Sequence, residues 1–557
     1  MPTITVDHGD LCRLLGAAIG LDRVLDDLAR LKCEVESLEG TRITIEVTSD
    51  RPDLFSAAGI AAALKGLEGL EVGPPPIEVE RGGVKARVER SVLPVRPFIA
   101  LSEVRGLQMS DEAVRQVMQL QEKLHETYCR HRRKVSIGVH DRDAIAPPLR
   151  YEALEPTEIA FVPLGERRRM RGDEILRLTP KGIRYGPIID RFDRYPLLVD
   201  GKGMVLSMPP IINSIHTVVT PDTRNVLVDV TGTDRELVKN VLNIVTFALA
   251  QRGGTVRTVE VEGPDGATWT PDLTPVEKEL SVDYVNEVLG LRLSAEKVRG
   301  YLLRMRLGAS VIGRRRLRVL VPPYRTDILH QIDLVEDVLM AHGYDRVRPE
   351  IPPMATIGRE GRMASLTRRI RDLMIGLGFQ EVLNYMMTNK GVLFTKMRLR
   401  QEAIVEVANP VSATYSALRS WLLPCLLEFL QANRHVPYPQ KIFECGDVVV
   451  VDGRTETKTR SARRLAAVIA DSKAGYEDIQ AVLHSLLSSL GVRGWSIEPA
   501  KHRSFIGGRC AAVLKGRRRL AILGEVHPEV IMNFKLEMPV AGLEVDVNRI
   551  LRLREGG

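Results

Sequence analysis

Four carboxylates in the stretch 319–345, VLVPPYRTDILHQIDLVEDVLMAHGYD, have the types and spacing to hold a divalent cation. Asp327 precedes a helical pattern in which Ile328, Ile332, Val335 and Leu339 form an apolar stripe, and Gly343 is a natural stop. Asp333, Glu336 and Asp337 are spaced by three and four, which puts them on one helical face. Carboxylates gathered in a small volume raise one another's cost of ionisation. A hard cation with oxygen ligands, Mg²⁺, removes that cost. The same residues also read as ordinary helix chemistry, with Asp327 as an N-cap and the others on a solvated face. Spacing leaves both readings open.

A second set lies near the middle of the chain. Ser207, Asn213, Asp229, Thr231 and Thr233 fall at strand ends or in adjoining loops, where sites usually sit. Asp229 alternates with Val228 and Val230, so its side chain can face inward, where a carboxylate needs hydrogen-bond partners or a ligand. Turn and capping chemistry is the alternative. No nucleophile–base pair is visible, so hydrolysis there would rest on positioned water and substrate groups.

Composition narrows the classes. The chain has 557 residues, 44% hydrophobic and 27% charged, enough for several cores. Its six cysteines are scattered singly, without metal-ligand spacing, which argues against a disulfide framework or a zinc site. The N-terminus lacks a basic region followed by an apolar core, and no apolar run is long enough to span a bilayer, so a cytoplasmic protein without membrane contact is expected. Net charge is +8, with arginine clusters at 130–134, 167–169, 314–316 and 517–519. Such clusters suit a structured polyanion such as folded RNA, or else are solvated hairpin tips. Aromatic content of 5% gives no sign of a base-stacking platform.

The elements that would position these residues fall into four modules. Residues 1–75 read as an α/β module, with Asp7 capping a first helix and the Gly73–Pro76 linker closing it. Residues 86–262 alternate strands and helices: a helix over 109–130 carrying Lys123 and His125, a strand from 134, a hairpin turned at Gly201–Gly203, and an alternating strand over 225–233. Residues 270–350 read as two short helices, a basic hairpin and the acidic helix, a winged-helix-like arrangement. Residues 355–557 read as an antiparallel sheet flanked by helices, with strands that include 382–387 and 403–408. The fold class expected is α+β and multidomain.

Seven segments then carry a resemblance: SDRPDLFSAAGIAAALKG (49–66), QEKLHETYCRHRRKVSIGVHD (121–141), VDVTGTD (228–234), YRTDILHQIDLVEDVLMAHGYD (324–345), NPVSATYSALRSWLLPCLL (409–427), KIFECGDVV (441–449) and GEVHPEV (524–530). In this order they resemble the β subunit of phenylalanine–tRNA ligase in its archaeal and eukaryotic form, over essentially the whole chain. The resemblance implies an α₂β₂ assembly that charges tRNA(Phe) with phenylalanine, with ATP and phenylalanine handled by the α subunit. It implies that 86–262 is an editing domain, where Asp229 and Ser207 recognise tyrosine wrongly joined to the tRNA, Leu198 shapes the wall and Asn213 and Thr231 complete the pocket. Such a second sieve is needed because tyrosine differs from phenylalanine by one hydroxyl. Lys123, His125 and Arg133 would hold the tRNA end. Mg²⁺ would sit at Asp327, Asp333, Glu336 and Asp337. The last module resembles a class II synthetase domain that has lost its catalysis, since AGLEVDVNRI (541–550) lacks the glycine-rich stretch and arginine of the third class II motif. The alternative is a non-enzymatic tRNA-binding scaffold with a decayed editing site.

Overall fold

Local sequence chemistry sets the first helix. Asp7 Oδ1 accepts from the amide of Asp10 at 2.9 Å, the helix runs His8–Leu15, and Gly16 ends it at φ +70°. The strand Thr3–Asp7 leads into it and pairs with Arg42–Glu46, itself paired with Glu34–Glu39. The computed structural model describes residues 2–555; Met1, Gly556 and Gly557 lie outside it. The chain is of α+β type and divides into two compact units, the break falling after Glu350. Among the described residues, no helix is long and apolar enough to cross a membrane.

In the first unit a ten-stranded sheet positions the central side chains. Its strand Val226–Gly232 lies antiparallel between Phe98–Arg105 and Val135–Asp141 and is buried throughout. Strand alternation sorts the side chains. Val226, Val228 and Val230 join an apolar core with the helices Asp111–Glu126 and Arg235–Ala250, while Leu227 packs in a different cluster. Asp229 shares that second face, as its period predicts. The first core also takes in Ile4, Val6, Leu54 and Ile60, so the N-terminal module shares its packing with the central sheet and its helices. The hairpin through Gly201–Gly203 is present, joining Tyr195–Val199 to Val205–Met208.

The acidic helix differs from its expected form. It runs Gln331–His342, starting after Ile328, and buries Leu334, Val335, Asp337, Val338 and Ala341. Ile332 is 43% exposed. The helix is apolar around most of its circumference, so spacing did not fix which side faces the core. Two helices, Val282–Leu289 and Ala295–Arg304, and a three-stranded sheet, Val276–Ser281, Arg316–Val321 and Gly308–Val311, complete this module.

The second unit is built on a seven-stranded sheet that contains the long pair Gln440–Val451 and Thr459–Ala470 and has Val540–Asp546 as its middle strand. Two expected strands are replaced. Only Gln380–Glu381 and Met387–Thr388 are extended around 382–387, and 403–408 makes a single bridge, Glu406 with Ala417. Both stretches are rich in strand-forming residues, but their pairing stops at isolated contacts such as Val382 N–H to the Phe443 carbonyl and Val407 N–H to the Ser416 carbonyl.

Candidate functional site

A cavity of about 350 Å³ opens where the central strand meets the hairpin, and Ser207, Asn213 and Asp229 line it with Glu122, Arg132 and Thr217. Ser207 and Asn213 are cross-strand partners. Ser207 is 2% exposed, and its Oγ has no hydrogen-bond partner among the described residues. A buried hydroxyl without a partner costs on the order of 1–3 kcal/mol, which a ligand group in the cavity would recover. Leu198 and Thr231 do not line the cavity. Leu198 is opposite Ser207 in register but packs with Tyr151, Leu206 and Leu227. Thr231 is held within a buried network: Arg96 Nε donates to its Oγ1 at 3.0 Å and Arg96 Nη2 to its carbonyl at 2.8 Å, while its Oγ1 also bonds Ser136 Oγ, on the cavity wall, at 3.0 Å. Burial pushes the Arg96 guanidinium down to about 10, and among the described residues its hydrogen bonds go to hydroxyl and carbonyl oxygens.

His140 is the residue that sequence reasoning missed. Its Nε2 lies 2.7 Å from Asp229 Oδ2 and its Nδ1 2.8 Å from Thr217 Oγ1, and it is wholly buried. Gly138, two residues before it on the same face, is the register partner of Asp229. A Cβ on Gly138 would stand 1.9 Å from Asp229 Oδ2 and 2.7 Å from His140 Nε2, so only glycine leaves room for this contact. A carboxylate–imidazole–hydroxyl chain is thus locked in place beside the cavity, an arrangement that fixes ring orientation and lets a proton be held or passed. The one available signal was that Ser136, Gly138 and His140 share one face of their own strand. Nothing in the sequence pairs the two strands.

The three residues expected to hold a tRNA end are split. His125 is 1% exposed, and its Nε2 accepts from the amide of Ile137 at 2.9 Å, so it is a core residue and not a phosphate ligand. It sits on the buried face of its helix with Leu120 and Leu124. Lys123 is paired with Glu126 at 3.5 Å. Arg133 is exposed and lines a groove of about 460 Å³ with His131, Arg184, Tyr185 and Arg191. The preceding turn holds Arg130, His131 and Arg132 at φ of +51°, +53° and +64°. Left-handed backbone costs a residue with a Cβ about 1–2 kcal/mol.

Burial pushes the His125 imidazole down to about 4, against a smaller upward pull from Glu122. Above pH 6.5 neither the folded nor the unfolded chain protonates it. As pH falls from 6.5 towards 4 only the unfolded chain takes the proton, so stability is lost across that window, in total about 3 kcal/mol. His125→Gln keeps an acceptor for the Ile137 amide and should flatten this part of the acid profile. Parallel profiles of unfolding free energy in the two proteins would refute it.

The acidic segment shares out its carboxylates. Arg325, 5% exposed, donates to Asp327 through Nε at 2.9 Å and Nη2 at 2.7 Å, and to Asp337 through Nη2 at 2.8 Å. Burial works against ionised Asp327, but Arg325 prevails and holds it down to about 2; burial raises Asp337, which Arg325 only partly offsets. Asp333 Oδ2 accepts from the amides of Leu329 at 2.7 Å and His330 at 2.6 Å, and Glu336 pairs with Lys32 at 3.1 Å. The donors are carboxylate oxygens, which suits Mg²⁺. The expected convergence of four nevertheless reduces to two around one guanidinium. Among the described residues, no three His, Cys, Asp or Glu are grouped as a metal cluster.

Two family models match the chain: the tRNA synthetase B5 domain over residues 278–344 and the phenylalanyl-tRNA synthetase β-chain CLM domain over 348–547. The phenylalanine–tRNA ligase β subunit of Pyrococcus furiosus is 42% identical over 558 residues, covering 99% of this chain and 100% of that one. The chain belongs to the phenylalanine–tRNA ligase β-subunit family. The β subunit of Thermofilum pendens is 42% identical over 552 residues, 99% of this chain and 98% of its own. A solved N-terminal fragment of the phenylalanyl-tRNA synthetase β subunit from Pyrococcus horikoshii is 40% identical, with a TM-score of 0.60, and covers 62% of this chain and 100% of the fragment.

Membership makes this chain a subunit of an aminoacyl-tRNA ligase. Within the segment matched by the β-chain CLM domain, buried charges are used up internally. Glu544 accepts from the amides of Leu422 at 2.9 Å and Leu423 at 3.0 Å, capping the helix Leu423–Ala432, and Arg419 pairs with Glu444 at 2.7 Å.

Proposed function

We propose that this chain is the editing subunit of a phenylalanine–tRNA ligase, assembled with an α subunit as α₂β₂ in the cytoplasm. The α subunit joins phenylalanine to tRNA(Phe) using ATP, and the cavity beside Asp229 hydrolyses tyrosine wrongly attached to that tRNA. One observation carries the reading: a cavity of about 350 Å³ with an unpartnered buried hydroxyl, Ser207, and a buried carboxylate, Asp229, clamped by His140. Such a set favours the editing reading over a scaffold with a decayed site. The tyrosine phenol donates to Asp229 and accepts from Ser207 Oγ. Phenylalanine offers neither atom, and sites built around a hydroxyl reject the analogue that lacks it by roughly 10⁴-fold. The attacking group is a water placed at the ester carbonyl, and the tRNA 3′-terminal hydroxyl leaves. His140 holds the Asp229 carboxylate in orientation through that step.

The test uses the α–β complex with Tyr-tRNA(Phe) and Phe-tRNA(Phe). The tyrosyl ester should be cleared and the phenylalanyl ester spared. Ser207→Ala should narrow that ratio about tenfold, the worth of one hydrogen bond to a neutral group. No deacylation of the tyrosyl ester above background would end the editing reading.

The family resemblance alone keeps Mg²⁺ at Asp327, Asp333, Glu336 and Asp337 a proposal, because a cation there would have to draw these carboxylates away from Arg325, two backbone amides and Lys32. Bound Mg²⁺ should raise the thermal midpoint, and Asp333→Ala with Glu336→Ala should abolish both that rise and the metal found in the dialysed complex. Equal metal content in the double variant would remove this site.

A further inference from the structure

The basic groove beside the cavity is built for something the cavity does not contain. Arg133 comes from the turn after the helix Asp111–Glu126, while Arg184 and Arg191 come from the segment around the helix Pro180–Tyr185. All three are exposed, and among the described residues none of them makes an ion pair. Two of the other three arginine clusters are partly compensated: Arg168 pairs with Glu174, Arg315 with Asp283, and Arg316 stands 3.9 Å from Glu279, while the cluster at 517–519 lies on a strand hairpin and, among the described residues, lines no groove with other basic residues from a second segment. Asp190 and Asp193 lie close in sequence, but neither forms an ion pair within the described residues. The site is concave, unlike a solvated hairpin tip, and three consecutive left-handed residues hold its rim. Backbone outliers of this kind persist where the surroundings enforce them and cluster at functional sites.

The groove and the cavity share one wall. Arg132 is buried, its guanidinium lies 4.4 Å over the Tyr185 ring, and its Nη1 donates to the carbonyls of Pro210 at 3.2 Å and Ile211 at 3.0 Å. Arg132, Pro210 and Ile211 line the cavity, and Tyr185 lines the groove. An occupant of one is therefore a neighbour of an occupant of the other.

We infer that His131, Arg133, Arg184 and Arg191 form a track for the backbone phosphates of the single-stranded RNA end whose terminal ester enters the cavity. The inference rests on the editing reading for what the RNA delivers, but not for the binding itself. Cations without carboxylate partners suit phosphate, and a buried Tyr185 offers no stacking face, so contact is to the backbone and independent of sequence.

The complex with α is compared with its Arg184→Ala/Arg191→Ala variant, using uncharged tRNA(Phe) over a salt series. The slope of log affinity against log salt should become shallower by between about one and two, one phosphate contact being lost per arginine. Arg184→Lys/Arg191→Lys should restore most of the slope. On Tyr-tRNA(Phe), kcat/KM for deacylation should fall at least tenfold more than on 3′-O-tyrosyl adenosine, which has no phosphates. An unchanged salt slope would overturn the inference and favour an acidic protein segment as the occupant. Equal losses on tRNA and on the nucleoside ester would overturn it too, because they place the damage in the cavity. If neither ester is hydrolysed by the unmodified complex, the editing reading fails and the salt slope still decides the groove.

Discussion

Asp229→Ala should lower deacylation of Tyr-tRNA(Phe) by about 10²–10³-fold, a loss of the size seen when a preorganised polar contact is removed from a reacting site. The readout is the deacylation rate relative to the rate of phenylalanine charging in the same preparation. The carboxylate is 1% exposed and makes its 2.7 Å contact with an imidazole that is itself wholly buried. Truncation removes the phenol's acceptor and leaves His140 Nε2 without a partner, so stability should also drop, by about 1–3 kcal/mol. Gly138→Ala separates the two effects. It deletes no polar group, but its Cβ would lie 1.9 Å from Asp229 Oδ2, so the pair must shift. A displacement of that size should impair deacylation nearly as much as the loss of the carboxylate. Full deacylation in Gly138→Ala would mean that the His140–Asp229 geometry does not matter to the reaction.

Arg325→Ala should be the most destabilising single change in the first unit. Its guanidinium serves Asp327 and Asp337 together and also donates to the carbonyl of Met305 at 3.3 Å. Removing one partner from a buried ionic group costs about 3–5 kcal/mol, because the remaining charge is left uncompensated. For a unit of this size the thermal midpoint should drop by roughly 5–15 °C. The pH dependence carries a sign. With Arg325 present, Asp327 is held below its usual range, so its contribution is in place above about pH 4 and is lost as pH falls towards 2. Without Arg325, the buried Asp337 and the mostly buried Asp327 are both pushed towards their protonated forms, and the deficit should shrink as pH falls from 7 towards 5. Arg325→Ala with Asp337→Asn should recover part of the loss at neutral pH. A midpoint within a degree of the unmodified protein would show that Arg51, whose charge also acts on Asp327, suffices.

How much was legible in the sequence depended on the range of the interaction. The cap at Asp7, the turn at Gly201–Gly203 and the inward parity of Asp229 are decided within a few residues, and all three are present. The seven ordered motifs carried the family, which the 42% identity to the Pyrococcus furiosus subunit over nearly the whole chain bears out. Residues expected from the resemblance to act together were partly divided by packing. Ser207, Asn213 and Asp229 share the cavity, while Leu198 and Thr231 stand in the layers beside it. His125 and Arg133 are eight positions apart, yet one is sealed against the Ile137 amide and the other faces an open groove.

By itself, then, the sequence determined the strand periods, the caps, the charge that points to a polyanion and the family. The tertiary structure decided which polar groups meet. His140 reaches Asp229 across 89 residues of chain because two strands pair in a particular register and Gly138 leaves the gap between them. The rotation of the acidic helix was settled by which of its apolar sides found a core, and that turned Asp337 inward to Arg325 and left Glu336 outside with Lys32. Periodicity fixes a side chain's direction relative to its own element; only packing against other elements fixes what lies in that direction.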